Sequence, residues 1–377
     1  MTSLKLTDEQ LECRDLAREF CNKRVVPVTR QLDEEGLPDD LISEMANLGY
    51  LGCSIATEYG GMGLDAFAVS CIIEEFARAN AGLATLLAAH LSLGCKTVEL
   101  HGNDEQKKKY LPQMAKGAIA SFCLTEPNAG TDVLSIRAKA TPEKDHYVLN
   151  GEKQFITSAD IAKFFMVFCK TEKGPTCFVV ERDAEGLTVG APEKKLGIRS
   201  SKTCPVHFQD VSVPAENMIG DAGKGFRVAL SVLDYGRLGV AAGALGIAEQ
   251  AFDEAVAYTQ NRVQFGKSIS SFQATQFKFA DMRVEIDASR YLLYHAVQTA
   301  VEGRRFSIPA AKAKLKASET ASHVADENIQ MHGGYGYTQD YNAERLWRDA
   351  RITRIYEGTS EAMRMIIGGD FRVKKEK

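Results

Sequence analysis

The stretch His146-Tyr147-Val148-Leu149-Asn150-Gly151 decides the fold, because it reads as a short apolar strand running into a turn. Asn-Gly suits the two central positions of a type I′ turn, both of which need positive φ, so a hairpin is predicted at Asn150-Gly151. Three more short apolar runs, Phe164 to Cys169, Thr176 to Val180 and Pro205 to Val213, sit between turn signals. The block from Ser121 to about Gly220 is therefore expected to be a β-sandwich or barrel.

On either side the period changes. From Thr7 to about Lys116 the apolar residues fall at helical spacing, first Leu11, Leu16 and Phe20, then Leu41, Ile42, Met45 and Leu48. Thr7-Asp8-Glu9-Gln10 reads as a capping box that opens the first helix, and the acidic stretch Asp33 to Gly36 reads as a loop. After Gly225 long helical patterns return, rich in Ala, Leu, Glu and Lys. Pro309 fits the first turn of a helix over Ser307 to Met331, which Gly333-Gly334-Tyr335-Gly336 breaks. Ala274 to Glu302 is long enough for a bundle helix. The expected architecture is a multidomain α+β chain. An N-terminal all-α domain covers 1–120, a middle β domain 121–225, and a C-terminal four-helix bundle 226–377.

Bulk properties narrow the chemistry. At 377 residues with 46 basic and 50 acidic side chains, the chain is long enough for a large core and has no basic excess to offer a nucleic acid. Lys107-Lys108-Lys109 and the Lys-rich tail after Arg372 are short and read as solvated surface. Nine scattered cysteines without CxxC spacing point to neither a disulfide framework nor a zinc site, and so to a reducing compartment. No apolar run of about 20 residues is evident, and no signal segment precedes the first helix, so no membrane role and a cytoplasmic location are expected. HExxH, GxGxxG and P-loop patterns are missing, which disfavours metal hydrolysis, Rossmann dinucleotide binding and P-loop chemistry.

Near the C-terminal end, Tyr356-Glu357-Gly358-Thr359-Ser360-Glu361 sets a carboxylate beside a glycine and ahead of two hydroxyl residues. A Glu in a dry, confined site gains basicity and can remove a proton from carbon. The same stretch also reads as an ordinary N-cap for a helix over Ala362 to Ile367.

Five separated segments carry a resemblance. They are Leu124-Thr125-Glu126-Pro127-Asn128-Ala129-Gly130-Thr131-Asp132, Gln154-Phe155-Ile156-Thr157, Leu233-Asp234-Tyr235-Gly236-Arg237, Asn261-Arg262-Val263-Gln264-Phe265-Gly266-Lys267, and Tyr356-Glu357-Gly358-Thr359-Ser360. In this order, across essentially the full length, the chain resembles the acyl-CoA dehydrogenase family, closest to the short-chain or butyryl-CoA type.

The resemblance implies that FAD is the cofactor. Its isoalloxazine would be held by Phe122, Leu124, Thr125, Gly130, Thr131, Phe155, Ile156 and Thr157, with Thr131 also near the CoA arm. Arg262, Gln264, Phe265 and Gln273 would reach the pyrophosphate and adenosine across a subunit interface, completed by Gln330, Gly333 and Gly334, with Thr359 and Glu361 also on the cofactor. Asp234, Tyr235, Arg237 and Gly358 would contact the acyl-CoA. Gly236 has no side chain where other branches of the family place their base, which assigns that role to Glu357, with Glu126 and Glu361 as the next carboxylates to test. His332 stands where an aliphatic residue is usual; a packing role is preferred over an altered adenine contact.

The implied reaction removes the α-proton to Glu357 and the β-hydrogen as hydride to the flavin, giving a trans-2-enoyl-CoA. The implied partners are electron transfer flavoprotein and further copies of the chain in a homotetramer, a dimer of dimers. Leu83-Ala84-Thr85-Leu86-Leu87-Ala88-Ala89-His90 would line the acyl end; it holds no Arg or Lys, which argues against a dicarboxylyl substrate. The alternatives are the same site run as an enoyl-CoA reductase, a related flavin oxidase or monooxygenase, and a non-catalytic flavin-binding scaffold.

Overall fold

A computed structural model describes residues 5–371. Arg372 and the Lys-rich tail after it lie outside the described residues. The N-terminal part is helical: α1 (Asp8–Phe20), α2 (Thr29–Glu35), α3 (Asp39–Asn47), α4 (Ala66–Ala79), α5 (Ala81–Ala89), α6 (Lys96–His101) and α7 (Asp104–Ala115). The expected capping box is present, since Thr7 Oγ1 accepts from Gln10 N and Gln10 Oε1 accepts from Thr7 N. A π-helical turn, His90–Cys95, joins α5 to α6.

The acidic stretch is not a loop. Asp33 to Glu35 complete α2, which ends only at Gly36 with φ +96°. The reason is tertiary: Asp33 is buried and its Oδ2 accepts from Arg348 at 2.9 Å, so a carboxylate that composition assigned to solvent is held inside.

The middle part holds β1 (Ala120–Cys123), β2 (Lys139–Glu143), β3 (His146–Thr157), β4 (Phe164–Thr171), β5 (Gly174–Glu181), β6 (Leu187–Val189), β7 (Thr203–Pro214) and β8 (Met218–Ile219). They form one mixed sheet in the order β6-β7-β3-β2-β4-β5-β8, with β1 parallel to β4. Along β4 the period of two sorts the side chains. Phe164, Met166 and Phe168 face α6, α7 and α8 (Gly225–Asn261), whereas Phe165, Val167 and Cys169 face an interior shared with Leu149, Val206 and Val211 of β3 and β7. The sheet thus folds over on itself around its own core, which is the sandwich-like β domain expected from the pattern.

The hairpin, however, is not at Asn150-Gly151. The β2–β3 hairpin turns at Lys144-Asp145, since Glu143 pairs with His146, while Asn150 pairs with Lys139 in mid-strand. Asn150 instead exchanges two 2.9 Å hydrogen bonds with Asp210 beside a β-bulge. Gly151, at φ +147°, is needed for close approach, because a Cβ there would lie 2.6 Å from Ala138 Cβ. The glycine signal was real, but it marked a bulge.

The C-terminal part contains α8, a small ribbon of β9 (Val263–Gln264) and β10 (Lys267–Ser268), α9 (Gln273–Val301), α10 (Ser307–His332), α11 (Ala343–Ile352) and α12 (Ser360–Gly369). Helix α10 packs on α8, α9, α11 and α12, while α8 also packs on α4 and α5. At the second seam Gly246 is obligatory, since a Cβ would meet Glu74 O at 2.2 Å. Arg290 of α9 ties the same seam to Glu74 at 2.6 Å and Glu249 at 2.7 Å. Contrary to expectation, Ala81–His101 and Gly225–Asn261 are both long and apolar enough to cross a bilayer by length and composition. Their most apolar windows are 83% and 72% buried inside the protein, so here they serve as core helices.

Candidate active site

Glu357 sits in the short turn between α11 and α12, with φ +51°, followed by Gly358 at φ +99°. Two consecutive left-handed residues reverse the chain and swing the Glu357 side chain back toward α8. The turn is held on both sides. Tyr356 N donates to Ile352 O at 3.1 Å and Ser360 N to Arg354 O at 3.0 Å, while Thr359 caps α12 by accepting from Ala362 N at 3.1 Å. From below, Lys314 of α10 donates its Nζ to Gly358 O at 2.6 Å.

The carboxylate end of Glu357 is buried although the residue as a whole is only partly so, and Oε2 has no hydrogen-bond partner among the described residues. Burial pushes its pKa up to about 7, against the pull of the Lys314 and Arg237 cations. Oε2 lies against Gly236 of α8, where a Cβ would come within 1.8 Å. The missing side chain is therefore the room the carboxylate uses. Among the described residues, the Glu357 N–H donates to no other group.

Beside the carboxylate lies a narrow cavity of about 20 Å³, partly open to solvent. Its walls are mostly small: Ala77, Ala84 and Ala88 face Gly239 and Gly243 across the α4–α5–α8 seam, and Ile73 and Ile247 add bulk. Of the stretch Leu83 to His90, only Ala84, Thr85 and Ala88 line it. His90 points elsewhere. Its Nδ1 accepts from Ala120 N at 3.1 Å, its Nε2 lies 3.1 Å from Leu51 O, and burial lowers its pKa to about 4. It is a neutral core histidine, which leaves the cavity without a charged group other than Glu357.

The residues near Gly236 divide. Arg237 is buried and pairs with Asp234 at 2.5 Å, and Asp234 also accepts from Ser307 Oγ. Arg237 Nε is left without a partner. Tyr235 packs edge-on against Phe306 at 5.0 Å, so neither it nor the ion pair lines the cavity.

A second surface lies on the β domain. A bulge between Lys153 and Ile156 turns Phe155 outward, with φ +59° and 61% exposure, while Ile156 drops into the sheet interior. The Ile156 side chain is thus occupied by packing. Phe122, Thr125 and Thr157 are half-buried near this bulge, and Gln154 N donates to Thr125 O at 2.9 Å, which joins the two segments. Leu124 is buried, whereas Gly130 and Thr131 are exposed. Glu126 is unsuitable as a base. Its carboxylate accepts from Lys153 Nζ at 2.8 Å, Ala138 N at 3.0 Å and Arg137 N at 2.5 Å, all in pinning the loop to the strand.

The third group is exposed and apart from the cavity. Arg262, Gln264, Gln273, Gln330, Gly333 and Gly334 all lie on the surface, and Phe265 is 93% exposed with φ +53°. The Arg262 guanidinium lies 5.8 Å from the Tyr335 ring centre, which brings the β9–β10 ribbon to the turn after α10. His332 is buried and stacks on Tyr258 at 4.1 Å, a packing role. Thr359 serves as a helix cap, and Glu361 is exposed in the first turn of α12.

Lys314, Gly239 and Gly243 escaped the sequence reading. Lys314 was findable in principle: it falls on the buried stripe Ala310, Ala317, Ala321 of α10, where a cation has no ordinary reason to be.

Comparison with known proteins gives the same domain order. The acyl-CoA dehydrogenase N-terminal domain matches residues 7–118, the middle domain 121–211 and the C-terminal domain 223–370. The chain is 44% identical over 371 residues to the short-chain specific acyl-CoA dehydrogenase of Clostridium acetobutylicum, covering 97% of this chain and 98% of that protein. Among solved structures, it is similar to butyryl-CoA dehydrogenase from Megasphaera elsdenii, with 43% identity, a TM-score of 0.95, and 97% and 99% of the two chains covered. It is equally similar to a chain in a structure described as the electron transferring flavoprotein of Acidaminococcus fermentans, towards a mechanism of flavin-based electron bifurcation. There the identity is 42% and the TM-score 0.96, over 98% of this chain and 99% of that one.

Proposed function

The chain belongs to the acyl-CoA dehydrogenase family, a family of flavoprotein oxidoreductases, and from that premise we propose that it desaturates a short-chain acyl-CoA to the trans-2-enoyl-CoA. FAD would be the cofactor and electron transfer flavoprotein the acceptor. The single observation carrying this reading is the buried, unpartnered Oε2 of Glu357 facing a cavity of small apolar walls. A carboxylate so placed has no structural bond to give up when it takes a proton.

In this proposal the acyl chain lies in the cavity with its α-carbon against Glu357. The Glu357 N–H is free to donate to the thioester oxygen, so the residue that takes the α-proton also stabilises the charge that grows on oxygen. The apolar walls exclude water and keep the carboxylate basic. When bound, the flavin supplies the two-electron acceptor for the β-hydrogen.

The residues present suit that group. Phe155 offers an exposed aromatic face on a rigid bulge, Thr125 and Thr157 offer polar groups beside it, and Arg262 offers an exposed planar cation for a diphosphate. Thr131, Gly130, Phe122 and Leu124 complete the same proposed surface, and Gln264, Phe265, Gln273, Gln330, Gly333 and Gly334 the adenosine side. A homotetramer is part of the proposal. Phe265 is bare in a single chain, and Phe277, Val284 and Tyr291 of α9 recur every seventh residue as an exposed apolar stripe.

The small cavity and its lack of a second charge favour short, unsubstituted acyl groups. Anaerobic titration with acyl-CoAs of increasing length tests this. The flavin band should bleach with butyryl-CoA and fade as a response when the chain lengthens, and Glu357→Gln should keep the flavin but not bleach. A yellow protein that no acyl-CoA bleaches would refute the reading, and rapid oxygen turnover would make it an oxidase.

A further inference from the structure

Lys314 is fully buried, at 0% exposure, in the seam where α10 meets the Glu357 turn. Its neighbours on the same face are Ala310, Ala311, Ala317 and Ser318, all small and uncharged. An ammonium in such a place costs several kcal/mol unless an opposite charge answers it. Of its three possible donors, only one is used among the described residues, toward Gly358 O at 2.6 Å.

The anions that face it can be sorted by what already holds them. Glu319, one turn along α10, is taken by Arg354 at 3.0 Å and Ser360 Oγ at 2.8 Å. Asp234 of α8 is taken by Arg237 and Ser307. Glu361 of α12 is exposed to water. Glu357 alone is buried at its tip and unengaged. Arg237 is the other cation in range, but its charge is already answered by Asp234. Burial lowers the Lys314 pKa to about 8, and Glu357 is the largest influence resisting that fall.

We infer that Lys314 is a positioning residue for Glu357: its hydrogen bond to Gly358 O fixes the left-handed turn that aims the carboxylate into the cavity, and its ammonium favours the ionised carboxylate. This rests on the proposed role of Glu357 as base. Two consecutive positive-φ residues, one of them not glycine, store strain that needs an external hold, and the Gly358 carbonyl is the point of grip. The cation is not within ion-pair distance of the carboxylate, so it biases the proton affinity without claiming the oxygen that must accept the proton.

The test compares holoenzymes carrying Lys314→Gln and Lys314→Met. Gln keeps a donor for Gly358 O without the charge; Met keeps only the length. The protonated-carboxyl infrared band, identified by its loss in Glu357→Gln, gives the Glu357 midpoint without substrate. Single-turnover flavin reduction by butyryl-CoA, followed against pH, gives the limiting rate. Removing the charge should raise the midpoint by about one unit in both variants, a tenfold loss of ionised base well below it. Met should also lower the limiting rate about tenfold or more, and Gln should restore part of that loss. An unmoved midpoint in both variants overturns the inference, as does an equal limiting rate in Gln and Met. If Met does not yield folded flavoprotein, Gln alone decides the electrostatic half. Bleaching retained in Glu357→Gln would defeat the base assignment instead, and the infrared midpoint would still report on Lys314.

Discussion

Replacing Glu357 by Gln should make the protein more stable as well as inactive, and only at the higher end of the pH range. Burial holds the carboxyl near a pKa of about 7 against an ordinary 4.5. The folded state therefore keeps a proton that the unfolded chain releases, and stability falls as pH rises from 4.5 through 7. At about 1.4 kcal/mol per unit, a shift of roughly 2.5 units amounts to about 3 kcal/mol of destabilisation above pH 7. Gln has nearly the same shape and never ionises, so it removes this cost. The pull of Lys314 and Arg237 is already contained in that pKa, so the net gain stays at about 3 kcal/mol.

For 377 residues, an unfolding entropy of about 2.1 cal/mol/K per residue is roughly 0.8 kcal/mol/K, so the midpoint should rise by about 3–4 °C. Thermal scans of both flavin-saturated proteins, at one protein concentration and one scan rate, read this directly. At pH 8.5 the variant should melt higher; by pH 4.5 the two should coincide. A difference that is flat across that window would refute the claim that the Glu357 carboxyl is buried without a partner.

Two further substitutions test the geometry. Gly236→Ala puts a methyl within 1.8 Å of Oε2, so the Glu357 carboxylate must move; single-turnover reduction by butyryl-CoA should fall by about 10²-fold or more while flavin content holds, and an unchanged rate would place the proposed base elsewhere. Gly151→Ala adds a Cβ 2.6 Å from Ala138 Cβ at φ +147°, and should cost about 1–3 kcal/mol in a denaturant titration without moving the acyl-CoA response.

Periodicity carried the architecture because each layer buries one face. The alternating side chains of β4 and the helical spacing of Leu41, Ile42 and Met45 are direct records of what each element packs against. It failed where a residue answers a distant partner. Asp33 looks like loop composition until Arg348 is placed beside it, and Asn150-Gly151 looks like a turn until Ala138 and Asp210 are seen across the strands. Both errors have one form: a local signal read correctly as unusual and explained by the wrong neighbour. At the candidate site, the motif singled out Glu357 and the missing side chain singled out Gly236, and the structure brings the two together. The roles of Ile156 and Lys314 were not, because the bulge that inverts Phe155 and Ile156 and the seam that buries Lys314 are products of tertiary packing.

The position of the proposed base is in effect written three times along the chain, and no one copy is sufficient. The turn at Glu357-Gly358 aims the carboxylate, Gly236 leaves the volume it enters, and Lys314 grips the carbonyl beyond it. A carboxylate tip left unpaired among apolar walls is unstable by the ordinary rules of burial, and the described residues offer it no direct bond that would relieve this. The fold instead sets cations on α8 and α10 outside ion-pair reach, near enough to favour the charge and too far to occupy it. A direct salt bridge to Oε2 would stabilise the protein more and would take the lone pair the α-proton needs. Stability surrendered at this one side chain is thus the same quantity as the basicity on which the proposed chemistry depends.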